Sequence, residues 1–109
     1  MPWLVRADYV LAAAEVARSG RERRRGLLGR DGVVGALVLQ PCRHVHTMGM
    51  RFPIDVAFCD ADGAVVRVCS LRPWRLAPIV PRARFVIEAQ AGAFERWSLR
   101  RGDVVEIRQ

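Results

Sequence analysis

The rarest side chains of this sequence that could do chemistry are concentrated between His44 and Gly63. That segment holds both histidines, two of the three methionines and one of the three cysteines. Side chains on one face of an extended chain recur at every second residue, so a strand here would present one row of sulfur and nitrogen donors. Thiolate, imidazole and thioether groups are ligands that Cu(I) and similar soft metal ions prefer. The members of that row are Cys42, His44, His46, Met48 and Met50.

A core face is the simpler interpretation of this row. Same-face neighbours in a strand lie about 7 Å apart, so several of them reach one ion only if the chain bends, for which Gly49 is suited. Methionine fills cores, and a buried cysteine behaves as a small hydrophobe. We therefore expect no metal and no other cofactor. If a metal is bound, its ligands would come from Cys42, His44, His46 and Met48.

An enzyme is a second hypothesis, in which His46 acts with a carboxylate from Asp55 or Glu88. Imidazole and carboxylate side chains are common general acids and bases. The sequence does not set the distance between these groups, and it shows no nucleophile with recognisable oxyanion donors. We therefore predict no catalytic residue, and the enzyme stays an alternative.

A binding module is the hypothesis that these residues favour. If the sheet curls so that His46, Asp55 and Glu88 reach one hollow, Trp74 and Arg75 would join them from a proline-rich loop. Such a hollow suits a sugar, a peptide end, a small anion or a protein partner, because it combines an apolar wall with a cation and hydrogen-bonding groups. The structural alternative is an Asp55–Arg75 ion pair with His46 bonded to backbone, since buried polar groups need partners in any case.

The charge of the chain points to an anionic partner. The formal net charge is +7, and all 18 basic residues are arginine. Nucleic acid, a membrane surface or an acidic protein would each complement this charge. The arginines outside Arg21–Arg25 are scattered, no recognition motif accompanies them, and codon bias would also explain the excess. Nucleic-acid association is therefore an alternative only, and Arg21–Arg25 are expected to form a solvated helix surface.

The cysteines and the hydropathy pattern predict a location. Cys42, Cys59 and Cys69 form no Cys-x-x-Cys pair and match no zinc or redox spacing, which favours a reducing compartment. Arg6 and Asp8 interrupt the apolar N-terminal run, and no stretch is long enough to span a membrane. We expect a soluble, cytoplasmic protein.

The elements that must position these side chains are mostly short strands. Apolar runs rich in β-branched residues and bounded by turn residues are typical of strands. The clearest case is a hairpin whose two strands flank the turn Asp60–Gly63. Strands are predicted at Trp3–Ala7, Val10–Val16, Gly35–Gln40, Ile54–Cys59, Ala64–Ser70, Phe85–Ala89 and Val104–Arg108.

Two short helices are also predicted. Ser19 followed by Glu22 is a capping-box pattern, which would start a helix from about Gly20 to Leu28 with Gly29 as its stop. A second helical turn is expected at Ala93–Leu99.

A proline-rich loop completes the chain. Prolines at positions 73, 78 and 81 fix the backbone of residues 71–82, and Trp74 on this loop would serve as a lid over a cavity or as a plug on the barrel end. The whole pattern predicts a single domain over residues 1–109. Its class is mainly β (α+β), a small, barrel-like, strongly coiled sheet of six or seven short strands with one or two short helices.

Several groups of residues, in their order and spacing, resemble a known family. They are Arg23-x-Arg25-Gly26-Leu27-Leu28-Gly29-Arg30, His46-Thr47-x-x-Met50-Arg51-Phe52-Pro53-Ile54-Asp55, Pro73-Trp74-Arg75, Glu88-Ala89-x-Ala91-Gly92 and Gly102-Asp103. From about Glu15 onward the chain resembles the DUF192 family, also called UPF0127.

The resemblance implies a small β-rich, barrel-like domain of the kind found in bacteria and archaea, with no established biochemical role. We accordingly expect a bacterial protein. The family pattern does not cover Cys42, His44 or Met48. The positions that it marks, which we take as the candidate ligand-binding residues, are His46, Met50, Asp55, Trp74, Arg75 and Glu88.

Overall fold

The computed structural model describes residues 1–109, and most of its regular structure belongs to one sheet of seven strands. The strands are β1 (Trp3–Arg6), β2 (Tyr9–Ala17), β3 (Ala36–Leu39), β4 (Ile54–Cys59), β5 (Val65–Leu71), β6 (Phe85–Gln90) and β7 (Val105–Arg108), and the helices are α1 (Gly20–Arg25) and α2 (Ala93–Trp97). The predicted class, mainly β with six or seven strands and one or two helices, is confirmed. Neither helix has the length and apolar character that crossing a membrane requires.

The sheet is mixed and strongly coiled. Its strand order is β5-β4-β6-β3-β2-β1-β7, and every neighbouring pair is antiparallel except β2 and β3. Parallel neighbours need a crossover connection, and here the crossover contains α1. The edge strands β5 and β7 approach each other at an isolated bridge between Ala64 and Val104. The predicted barrel-like coil is therefore confirmed, although the sheet does not close.

The predicted strands agree with the observed ones to within one residue at each end. The strand predicted at Ile54–Cys59 has those bounds, and its hairpin partner follows a turn that Asp60 organises. The Asp60 carboxylate accepts hydrogen bonds from the backbone N–H groups of Asp62 and Ala64, as in an Asx turn. The alanine run at residues 12–14 lies in β2, where pairing with β1 and β3 outweighs the helix preference of alanine.

Helix α1 begins as predicted and ends early. The Ser19 hydroxyl accepts a hydrogen bond from the Glu22 backbone N–H at 3.0 Å, and the Glu22 carboxylate accepts one from the Ser19 backbone N–H at 3.1 Å. The predicted end near Leu28 is wrong. Gly26, directly after the helix, has φ 49° and ψ −125°, which only glycine adopts readily, so the helix ends there and a turn runs on to Gly29.

Apolar side chains pack on both faces of the sheet. One face carries residues from all seven strands and packs on α2, and we call it the α2 face; examples are Leu4, Val38 and Ile87. The opposite face, the loop face, is covered by the connecting loops through residues such as Val45 and Phe52. Successive residues of β4 and β6 alternate between the two faces, as the pleat of a strand requires. Neighbouring positions on one strand therefore serve different sites.

Candidate functional site

The segment that carries both histidines is a loop, not the extended strand on which the predicted row of donors depended. Residues 41–50 form turns, and buried Thr47 holds them in place. The Thr47 hydroxyl donates to the carbonyl oxygen of Arg72 at 2.6 Å and accepts from the backbone N–H of Arg75 at 2.9 Å. The Thr47 backbone N–H also donates to the carbonyl oxygen of Arg75 at 2.8 Å. These bonds fasten loop 41–50 to the proline-rich loop.

Loop 41–50 and α1 line a cavity of about 260 Å³ on the loop face of the sheet. That volume is well above what a single water molecule needs, so it suits a small molecule. All five members of the predicted donor row line it, although no strand aligns them. The other side chains that matter here are Arg23, Arg24, Arg25, Leu27, Leu39, Val45 and Glu88.

Glu88, on β6, is the most deeply buried charged group of this cavity. Its side chain is 3% exposed, and its Oε1 atom has no hydrogen-bond partner. Burial raises the pKa of Glu88 to about 7, because removal from water disfavours the charged form, while the positive charge of Arg30 opposes the shift. A buried polar atom without a partner is unfavourable by about 1–3 kcal/mol. A ligand group that donates a hydrogen bond would remove this penalty.

Gly26 packs directly against that buried oxygen. A Cβ atom placed on Gly26 would lie 3.4 Å from Oε1 of Glu88. The same residue has the positive φ described above, so the backbone conformation and the open space both call for glycine. The sequence signal was the Arg-Gly-Leu-Leu-Gly segment of the family motif, to which we had assigned no site.

Three arginines of α1 form a positive wall. Arg23, Arg24 and Arg25 line the cavity, and none of them forms an ion pair with a carboxylate. Arg30, by contrast, is paired with Glu15 at 2.9 Å. The predicted solvated surface of α1 agrees with the structure, since no residue of the helix is buried, and three of its arginines also line this half-open cavity.

His46 keeps an N–H group for a ligand. Its Nδ1 atom accepts a hydrogen bond from the Met48 backbone N–H at 3.2 Å. One nitrogen of a neutral imidazole accepts while the other carries the proton, so this bond assigns the hydrogen to Nε2. A protonated Nε2 donates to an anion and does not bind a metal ion. The bond to backbone is the one that the structural alternative anticipated.

The soft donors of the cavity do not converge on a metal site. No three His, Cys, Asp or Glu side chains come close enough together to hold an ion. The Cys42 thiol donates to the carbonyl oxygen of His44 at 3.2 Å, so it is not paired with an imidazole base. Burial also raises the pKa of the Cys42 thiol, which disfavours the reactive thiolate.

Asp55 has a structural role that the sequence did not reveal. Its carboxylate accepts hydrogen bonds from the Ser70 hydroxyl at 2.8 Å and from the backbone N–H groups of Gly92 and Phe94 at 3.0 and 3.1 Å. It therefore holds the start of α2, whose first residues have no side-chain cap of their own. The predicted ion pair with Arg75 is wrong, because these partners occupy Asp55 instead.

The predicted common hollow is wrong as far as Asp55 is concerned. Glu88 pairs across the sheet with Val56, and Val56 belongs to the loop face. Asp55, one residue earlier, therefore points to the α2 face. The two carboxylates lie on opposite faces of the sheet, and a joint acid–base role for Asp55 and His46 has no geometric basis.

Trp74 and Arg75 also lie outside the cavity. The Trp74 side chain is 63% exposed on a backbone with φ 66°, so it forms neither the predicted plug nor a lid over this cavity. The Arg75 guanidinium donates to the Trp74 carbonyl oxygen. Of the six candidate ligand-binding residues, the cavity brings together His46, Met50 and Glu88.

Two solved structures share this fold. A protein of unknown function from Novosphingobium aromaticivorans superposes with a TM-score of 0.81 at 21% identity, over 96% of this chain and 82% of that one. A candidate transcription regulator from Sinorhizobium meliloti superposes with a TM-score of 0.79 at 21% identity, over 97% of this chain and 91% of that one. At this identity the likeness concerns the fold.

Curated relatives include UPF0127 proteins of Pyrococcus abyssi and Pyrococcus horikoshii, which are 39% and 37% identical over 62 residues, 57% of this chain. The match covers 53% and 54% of those proteins, so the chain spans about half the length of the curated relatives it matches. The model of the DUF192 family, described as uncharacterized ACR, matches residues 4–107, which extends the resemblance noted from Glu15 towards the N-terminus. This chain therefore belongs to the DUF192 family.

Proposed function

We propose that this protein is a binding module for a small anionic molecule, which it holds in the cavity between α1 and loop 41–50. The observation that carries the proposal is the wall of three arginines, Arg23, Arg24 and Arg25, that line a small, half-open cavity without acidic partners. Guanidinium groups bind carboxylate and phosphate groups in a bidentate manner, and a wall of them attracts an anion.

The rest of the cavity supports this function. The Nε2–H group of His46 adds a neutral donor to the charged ones. Leu27, Leu39 and Val45 supply apolar surface for the carbon part of a ligand. The net charge of +7 would raise the rate at which an anion reaches the site.

The test uses Cys42 as a reporter, because its thiol lines the cavity whereas Cys59 is buried. In a Cys69→Ser background, alkylation of Cys42 by iodoacetamide is followed with increasing phosphate, acetate or pentanoate. We expect at least one of these anions to slow alkylation in a saturable way.

The matched variants lie on the same short helix. Arg23→Gln removes a guanidinium of the cavity, and Arg21→Gln removes one that does not line it. Loss of one charged hydrogen bond corresponds to about a tenfold weaker affinity, so Arg23→Gln should lower affinity by about that factor. Arg21→Gln should leave it unchanged. The proposal fails if no anion protects Cys42, or if both substitutions have the same effect.

A further inference from the structure

We infer that the ligand carries two opposite groups, an anionic group at one end and an ammonium or similar hydrogen-bond donor at the other, separated by a short carbon chain. An amino carboxylate of the ω-amino type is the simplest member of this class. The inference rests on the proposed function, because it takes the arginine wall as the site of the anionic group and asks what Glu88 recognises.

The Glu88 carboxylate presents a hydrogen-bond acceptor for which the protein supplies no donor. Its Oε1 atom has no partner, and the protein supplies none, because Arg30, the cation that influences it, is engaged with both carboxylate oxygens of Glu15. Glu88 lines the cavity, and this buried oxygen lies beside Gly26, where no side chain fills the adjoining space. A ligand with only an anionic group would leave this oxygen unpartnered and would add like charge near it.

Two of the three arginines, Arg23 and Arg24, lie at the opposite end of α1 from Glu88, whereas Nη2 of Arg25 lies 3.9 Å from the position of a Cβ on Gly29. Nη1 of Arg24 and Nη2 of Arg23 lie 3.1 and 3.9 Å from the position of a Cβ on Gly20, the first residue of the helix. Oε1 of Glu88 lies 3.4 Å from the same position on Gly26, just past its end. A helix of this length spans about 9 Å. A molecule that reaches both Glu88 and the guanidinium groups of Arg23 and Arg24 therefore needs its charges apart, not on one carbon atom.

The anionic group and the ammonium group must also belong to one ligand molecule. An amine alone would have to enter a cavity with three guanidinium groups and one carboxylate, so it would meet net repulsion. A carboxylate alone satisfies the arginines and not Glu88. The apolar side chains of Leu27, Val45 and Met50 line the cavity as well, and they suit methylene groups between two charged ends.

The experiment compares amino carboxylates of increasing length with their deaminated counterparts at pH 8. The pairs are glycine and acetate, 4-aminobutanoate and butanoate, and 5-aminopentanoate and pentanoate, each titrated by isothermal calorimetry and by protection of Cys42. We expect 5-aminopentanoate or 4-aminobutanoate to bind at least tenfold more tightly than its counterpart, the effect of about one charged hydrogen bond. Glycine should show no such advantage over acetate.

The Glu88→Gln variant tests whether Glu88 causes the tighter binding of the amino carboxylates. It keeps the shape of the side chain and removes its negative charge, so the amino compounds should lose their advantage while pentanoate binds as before or more tightly. The comparison in the unmodified protein needs no variant and stands if Glu88→Gln does not fold.

The outcomes separate the two proposals. If pentanoate binds as tightly as 5-aminopentanoate and Arg23→Gln weakens it, the two-ended ligand is wrong and anion binding stands. If phosphate protects Cys42 and no carboxylate binds, this inference is wrong and anion binding stands. If none of the anions binds, the proposed function fails and this inference fails with it. An ammonium advantage that Glu88→Gln leaves intact also overturns the inference, because another group would then bind the ammonium.

Discussion

Two buried carboxylates in this protein show how surroundings decide what a residue does. Asp55 and Glu88 are 5% and 3% exposed, and they lie on neighbouring strands. Asp55 accepts three hydrogen bonds and is fully engaged in structure, whereas Oε1 of Glu88 accepts none. Folding therefore uses the first carboxylate to hold a helix and leaves an oxygen of the second without a partner.

Replacing Glu88 by glutamine should make stability less dependent on pH. The pKa of Glu88 is about 7 in the folded protein against an ordinary value of 4.5, so the folded state binds more protons between these values. The free energy of unfolding therefore falls as pH rises through this window, by about 3 kcal/mol at most. Glu88→Gln should be more stable than the parent at pH 8.5 and similar to it at pH 4.5, measured by urea unfolding.

The comparison isolates Glu88, because both proteins share the other charged and titratable groups around it. These are Arg23, Arg24, Arg25, Arg30, Cys42, His44 and His46. An equal stability difference at the two pH values would contradict the raised pKa.

Gly26→Ala should affect both stability and binding. The positive φ at Gly26 makes a side chain unfavourable by about 1–3 kcal/mol, and the added Cβ would sit beside Oε1 of Glu88. Gly102→Ala is the control, since Gly102 also has a positive φ and no atom within 4 Å of the new Cβ. Both variants should lose stability in urea unfolding, and only Gly26→Ala should weaken binding of 5-aminopentanoate. Equal affinities would show that the space at Gly26 is not part of the site.

At the level of elements, short pieces of structure depend on side chains supplied from elsewhere. Helix α2 has five residues and would not form alone, and β4 supplies its anchor through Asp55. Loop 41–50 has no regular structure and depends on Thr47 for its attachment to the proline-rich loop. These two anchors are separate, so they allow stability and binding to be tested independently.

Asp55→Ala should destabilise the protein without affecting the cavity. It removes three hydrogen bonds, two of them to the start of α2, and we expect a loss of about 2–4 kcal/mol in urea unfolding. The affinity for pentanoate should not change, because Asp55 faces the other side of the sheet. Asp62→Ala, at an exposed turn position, serves as the control and should be nearly neutral. Loss of pentanoate binding in folded Asp55→Ala would contradict the separation of the two faces.

Thr47→Val should weaken both the loop and the site. Valine keeps the shape of threonine but removes the hydroxyl that bonds to Arg72 and Arg75, so stability should fall by about 1–3 kcal/mol. Because Thr47 lies between His46 and Met48, pentanoate affinity should fall as well. Thr47→Ser keeps the hydroxyl and should retain that affinity. If valine and serine behave alike, the hydroxyl is not what positions the loop.

At the scale of the whole molecule, the coiled sheet separates two faces, and the excess of arginine gives the surface its charge. Arginines scattered over a surface attract polyanions such as nucleic acid without distinguishing one base sequence from another. We therefore expect retention on heparin at low ionic strength, elution by moderate salt, and the same elution for Trp74→Ala. Retention that persists at high salt, or a clear preference for one DNA sequence, would favour the nucleic-acid alternative over the small-ligand site.

The local features of this fold were readable from the chain alone. The hairpin around Asp60, the capping box at Ser19 and the runs that became strands depend on residues close together in sequence, where propensity and turn chemistry act. The family resemblance is of the same kind, since it depends on residue order and spacing. These local features did not determine which of the candidate side chains lie in one cavity. The candidates in question were His46, Asp55, Glu88 and Trp74.

Only the tertiary structure decided that question. Strand register places Glu88 opposite Val56, and a shift of one residue would have turned it to the other face, so no local pattern determines its side. The cavity exists because α1 and loop 41–50, distant along the chain, pack over the same part of the sheet. The sequence by itself therefore determined the elements, the family and the kinds of groups available, while long-range packing determined which of those groups share one space.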